Sequence, residues 1–213
     1  MIALKFIGPS KASPLHAPKG LAIVGKTLYV LDLDHVRGYD TERGGFVLDI
    51  DMAPYKATFL NDLTRDADGK LYLSDSGSNF VARIEPEHGH RVTILARGSQ
   101  LAGANGLSIQ PKTGRLAVVT WGTGRVLEVT DQGKVKPWLD LPFEKLDGAD
   151  FDADGNLYFS AYAEGKIYRT GADGKVSVFR EGLVTPADIN IDRTKRLLLI
   201  PSFDGNAAYA VPL

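Results

Sequence analysis

The chain has 213 residues, 44% apolar and 24% charged, with a formal net charge of −1. That length supports one large domain or two small ones with a full core. The near-neutral balance excludes the strong basic field of nucleic-acid or anionic-membrane binders, and no stretch is long and apolar enough to span a bilayer.

The opening MIALKFIGPSK lacks the apolar run of a secretory signal, so a soluble protein of undetermined compartment is expected. With no cysteine, disulfides, thiolate metal sites and a Cys nucleophile are excluded. The 23 glycines and 11 prolines favour many turns between short strands.

In chain order, one unit recurs five times. Its strand cores are TLYVLD (27–32), LYLSD (71–75), RLAVVT (115–120), LYFSA (157–161) and RLLLIPS (196–202). Their leading residues Leu28, Leu71, Leu116, Leu157 and Leu197 are spaced by 43, 45, 41 and 40. Each core follows a short strand that starts on a small or polar pair: KGLAIV, NDLTRD, NGLSIQ, DGADFD and ADINID. Tight turns join the two, and a third and fourth strand complete the unit. No segment carries a helical period.

Four antiparallel strands per repeat of roughly 40–50 residues describe a β-propeller blade. The spacing predicts an all-β single domain of five four-stranded blades over about 17–52, 59–96, 104–139, 146–180 and 184–213. The last repeat lacks a fourth strand, and residues 3–7 (ALKFI) are expected to complete it, closing the ring and hiding two sheet edges. A closed ring implies a monomer. Unclosed edges imply an edge-paired or domain-swapped oligomer.

First strands line a propeller's channel, so equivalent residues at their starts face one another. Those residues are Lys19, Asn61, Asn105, Asp147 and Ala187, with Asp188 beside the last assigned to the same channel. Asn61, Asn105 and Asp147 are hard-oxygen donors suited to Ca²⁺ rather than zinc. Asn and Asp also start turns readily, so turn chemistry stands as the other reading of each position.

The series LNDL…DADGKLYLSD, ANGLSIQPKTGRLAV and LDGADFDADGNLYFSA resembles the senescence marker protein-30/gluconolactonase-like propellers. That resemblance implies a calcium-dependent lactonase or esterase with Asn61, Asn105 and Asp147 as metal ligands and Asp147 activating the attacking water. It also implies six blades and a Glu ligand one blade before Lys19, so this chain reads as a relative lacking its first blade, open or oligomeric. An Arg that holds sugar substrates in some relatives is Phe59 here, which disfavours a sugar acid lactone. Lys19 weakens cation binding at the ring, or replaces the cation and pairs with Asp147.

Trp121 and Tyr162 are expected to wall a site for a small lactone or ester. Asp32 and Asp75 end second strands near the same face, either supporting the ring or serving as satisfied strand-end carboxylates. The alternative function is a non-catalytic scaffold or a ligand- or protein-binding module, natural or engineered by blade deletion. Other motifs carry less: DADG at 66–69 and 152–155 lacks the later EF-hand ligands and reads as a hairpin turn. WGTG at 121–124 lacks the GKS/T of a phosphate loop, and EHGH at 87–90 supplies only two histidines. His16 and His35 have no sequence-identifiable triad partner.

Overall fold

The computed structural model describes residues 6–8, 13–139, 142–171 and 173–213. Four sheets of four strands and one of three, each a simple antiparallel meander, make a five-bladed all-β propeller. Blade 1 holds β1 (Pro18–Val24), β2 (Thr27–Asp32), β3 (His35–Asp40) and β4 (Phe46–Asp51). Blade 2 holds β5 (Leu60–Arg65), β6 (Leu71–Asp75), β7 (Phe80–Glu85) and β8 (Arg91–Arg97). Blade 3 holds β9 (Ala104–Ile109), β10 (Leu116–Thr120), β11 (Val126–Val129) and β12 (Val135–Pro137). Blade 4 holds β13 (Leu146–Phe151), β14 (Leu157–Ala161), β15 (Lys166–Thr170) and β16 (Val176–Arg180). Blade 5 holds β17 (Asn190–Asp192), β18 (Leu197–Ser202) and β19 (Ala207–Pro212).

The DADG motifs are the hairpin turns expected of them. Asp66 Oδ1 accepts the Lys70 N–H at 2.9 Å, and Asp152 Oδ1 accepts those of Asp154 and Asn156 at 2.9 and 2.8 Å. Gly69 and Gly155 take the positive φ (79° and 89°) that closes each turn. The aspartates are therefore used up locally.

Each blade is too thin to own a core, so apolar side chains pack between neighbours. Tyr29, Leu31 and Val36 of blade 1 meet Leu63, Leu73 and Phe80 of blade 2. Tyr72 and Val81 meet Leu107 and Val118 of blade 3, whose Ala117 and Val119 meet Phe151 and Phe159 of blade 4. Tyr158 and Ile167 then meet Ile191, Leu198 and Ile200 of blade 5. Among the described residues no such cluster joins blade 5 to blade 1.

One repeat position shows what this seam means. Leu63, Leu107, Ala149 and Ile189 are 4%, 2%, 4% and 3% exposed, whereas the equivalent Leu21 of blade 1 is 58% exposed. Ile23 beside it is also exposed, as are Leu199 and Tyr209 on blade 5. Among the described residues four of the five interfaces are packed, and the fifth, between blades 5 and 1, is open. The expected completion of blade 5 by residues 3–7 falls largely outside the described residues; Phe6 lies with its carbonyl against Gly44, in the turn between β3 and β4.

Candidate functional site

Asn and Asp are poor strand formers, yet Asn61 and Asp62 lie in the first residues of β5, and the register shows how. Antiparallel register slips between Pro18 and Leu21, Leu60 and Leu63, and Leu146 and Ala149 of the inner strands, and opposite Asn105-Gly106 in blade 3. Each slip is a bulge at the ring position. Bulges bend a strand and re-aim its side chains, so residues that are poor strand formers are tolerated there.

The second residue of each bulge faces the next blade. A Cβ on Gly20, Gly106 or Gly148 would collide with the backbone of the following inner strand, at Asp62–Leu63, Asp147–Ala149 and Asp188–Ile189 respectively. In blade 2 the same position is Asp62, which bridges instead: its carboxylate accepts the Leu63 N–H at 2.7 Å and the Leu107 N–H of blade 3 at 2.8 Å. Asp150 makes a second bridge, accepting from Ser108 Oγ (2.8 Å), the Ile191 N–H (2.8 Å) and Arg193 Nη2 (2.7 Å).

The ring residues are tied to one another along the same rim. Asn61 donates its amide to Ser76 Oγ at 2.9 Å, and that hydroxyl donates to the carbonyl of Ala104, beside Asn105. Asn105 Nδ2 reaches the Leu146 carbonyl at 3.4 Å, and its amide is near enough to Asp147 to lower that carboxyl's pKa. Lys19 turns away. Its Nζ donates to the Ala17 carbonyl at 3.2 Å and lies 4.0 Å over the Phe59 ring, within the field of Asp32 rather than paired with Asp147. Desolvation lowers its pKa.

The channel is acidic. Burial of Asp147, reinforced by Asp62 and partly offset by the Asn105 amide, pushes its carboxyl up to about 6. Burial likewise lifts Asp62 to about 6, with Asp150 adding to the shift and the two N–H donors opposing it. Asp188 lines the channel as an exposed residue, and partial desolvation with the charges of Asp62, Asp147 and Asp150 raises its pKa. The middle of the channel is a cavity of about 360 Å³ lined by Lys19, Asp62, Leu107, Asp150 and Asp188 among others.

Asp75 and Asp32 are strand-end carboxylates with their oxygens occupied. Asp75 accepts the N–H groups of Thr58, Phe59 and Ser78, and Asp32 those of His16 and Ala17, with Arg37 Nε alongside at 3.2 Å. Both pin the segment that enters an inner strand. His90 bonds the Tyr29 hydroxyl at 3.0 Å, and His35 bonds Asp49 at 2.9 Å.

The aromatic wall is longer than the two residues legible in the sequence. The residue just after each second strand donates its N–H to the residue two before the ring position: Ser76 to Phe59, Trp121 to Gly103, Tyr162 to Lys145 and Phe203 to Thr185. Trp121 and Tyr162 rings lie 5.0 Å apart, and Tyr162 and Phe203 rings 6.3 Å. Phe203 follows Ser202 as Tyr162 follows Ala161, so the repeat alignment was sufficient to find it. Asp150 and Lys145 had no such signal.

The fold is a five-bladed β-propeller, and carboxylates of three blades line a cavity between them. No family model matches the sequence, and no curated protein matches it. Solved structures do share the fold. A gluconolactonase from Xanthomonas campestris is 18% identical at a TM-score of 0.74, over 92% of this chain and 72% of its own. A virginiamycin B lyase from Staphylococcus aureus is 15% identical at 0.71, over 92% and 70%. A chain of a nidogen/laminin complex is 18% identical at 0.73, over 84% and 70%.

Proposed function

We propose that the protein is a hydrolase of a small lactone or ester, working at the channel mouth with Asn61, Asn105 and Asp147 as calcium ligands. One observation carries the reading: three successive bulged inner strands carry two amides and a carboxylate at equivalent positions, tied through Ser76 to Ala104 and through Asn105 to the Leu146 carbonyl. The residues fit a hard cation in kind, since all are oxygen donors and the half-buried Asp147 has no cationic side chain bonded to it. They supply three of the roughly six to eight oxygens Ca²⁺ takes, so weak affinity is expected. Among the described residues no group of three or more His, Cys, Asp or Glu is arranged to hold a metal ion. A bound Ca²⁺ would polarise the substrate carbonyl and stabilise its oxyanion.

The protein's own groups do the rest. Asp147 takes a proton from the attacking water as the new C–O bond forms at the carbonyl carbon. It returns that proton to the leaving alkoxide as the original C–O bond breaks. Without a cation, burial and Asp62 hold this carboxyl near 6, and a bound Ca²⁺ would favour its ionised form, the one that accepts the proton. Trp121 and Tyr162 shield one side from bulk water. The gluconolactonase among the structural relatives supports acyl chemistry on this scaffold. A non-catalytic scaffold is the second reading, favoured by the open seam and by Lys19 occupying a ring position without reaching Asp147.

A calorimetric calcium titration of chelator-stripped protein, beside Asn105→Ala, tests the site. Submillimolar binding lost in the variant, with calcium-dependent hydrolysis of lactones or aryl esters, supports the hydrolase. No binding and no turnover leaves the scaffold. No helix is long and apolar enough to cross a membrane among the described residues.

A further inference from the structure

We infer that Trp121, Tyr162 and Phe203 form a binding ledge for an aromatic ring carried on an anionic or ester-bearing chain. The inference deepens the hydrolase reading and rests on it for the catalytic consequence alone. The three side chains occupy one repeat position on three consecutive blades, each held by its own backbone N–H to the carbonyl two residues before the ring position. Their rings therefore follow the curve of the channel mouth in contact with one another.

The ledge is braced and open. Tyr162 donates its hydroxyl to Asp204 Oδ2 at 3.0 Å, and the Asp204 N–H is held by Thr185 Oγ1 at 2.8 Å, which fixes the loop carrying Phe203. Phe203 is nonetheless 72% exposed, the most exposed large apolar side chain among the described residues. Phe203 is the last ring of the series, and no following blade covers its outer face among the described residues. Aromatic pairs prefer tilted or edge-on contacts with centroids about 4.5–7 Å apart, and the observed spacings leave ring faces for a further aromatic partner.

Charge orients the guest. Lys145 Nζ lies 5.5 Å over the Trp121 ring, and Lys19 stands over Phe59 across the mouth. Asp147 is two residues beyond Lys145, and its charge contributes to raising the Tyr162 hydroxyl pKa, after partial desolvation and Asp204. A ligand with an aryl group on the ledge thus has its carbonyl or carboxylate directed between the lysines and the ring residues. Aryl esters and benzo-fused lactones have this layout. Sugar lactones do not.

The test uses intrinsic fluorescence in a Trp138→Phe background, where Trp121 is the sole reporter because the chain has two tryptophans. The probes are 3-phenylpropanoate and 3-cyclohexylpropanoate, equal in charge and nearly so in size. The phenyl probe is expected to bind roughly 3–10-fold tighter, the worth of one aromatic contact beyond area, and Phe203→Ala to remove most of that preference while Phe203→Tyr retains it. Equal affinity for the two probes, or an unchanged preference in Phe203→Ala, overturns the inference. Asn105→Ala separates the two proposals: it is expected to abolish dihydrocoumarin hydrolysis and leave phenyl binding intact. Phenyl binding without hydrolysis in the parent protein sinks the hydrolase reading alone, and hydrolysis without phenyl preference sinks the ledge alone.

Discussion

The open seam predicts that one leucine of a repeating set is dispensable. Leu107 and Leu21 hold equivalent positions, yet they are 2% and 58% exposed. Truncating Leu107 to Ala removes buried methyl groups and leaves a cavity walled by Tyr72, Val81 and Leu116, a cost of about 3–4 kcal/mol. Truncating Leu21 removes a side chain that has lost only about two-fifths of its surface to the protein. The transfer part then falls below about 1 kcal/mol, and no closed cavity forms. In urea, with a slope of about 2.5 kcal/mol/M for a chain of this size, the midpoint should drop by roughly 1.4 M for Leu107→Ala and under about 0.4 M for Leu21→Ala. Equal drops would mean that blade 5 seats on blade 1 in solution, with Asp188 meeting the Leu21 backbone as Asp62 meets Leu107, and the seam argument would be wrong.

Further consequences concern the carboxylates and the bulges. Asp62 and Asp147 hold their protons near 6, above the unfolded carboxyl range, so protonation favours the folded state; that contribution is complete below the ordinary carboxyl pKa and is lost as pH rises through about 6. Thermal unfolding in chelator should show Tm falling between about pH 4 and 7, with a shallower fall in Asp147→Asn; a Tm rising over that range would refute the assignment. Asp75→Ala orphans the N–H groups of Thr58, Phe59 and Ser78 and should cost about 3 kcal/mol or more in equilibrium denaturation, a loss that Asp75→Asn only partly repairs. Gly148→Ala drives a methyl into the backbone at Asp188–Ile189 and should yield insoluble or poorly cooperative protein, whereas alanine at Gly25, where a Cβ meets nothing, should cost only its left-handed φ, about 1 kcal/mol.

The five blades were legible because a propeller repeats its own instructions. The spacing of Leu28, Leu71, Leu116, Leu157 and Leu197 marks the second strands, the DADG turns mark their boundaries, and alignment alone aims Asn61, Asn105 and Asp147 at one axis. The same alignment contains Phe203, which occupies the position of Trp121 and Tyr162.

What the tertiary structure alone decided depends on neighbours from distant blades. Only packing shows that Asp62 bridges to Leu107 while glycine fills its place at positions 20, 106 and 148, because the discriminating contact is a backbone N–H on another strand. Only packing shows Lys19 lying on Phe59, Asp32 and Asp75 consumed by backbone donors, and Asp150 held by Arg193. Leu21 looks in sequence like every other leucine of its set. Its exposure follows from the missing neighbour, since burial belongs to a pair of surfaces and a sequence pattern specifies one of them at a time.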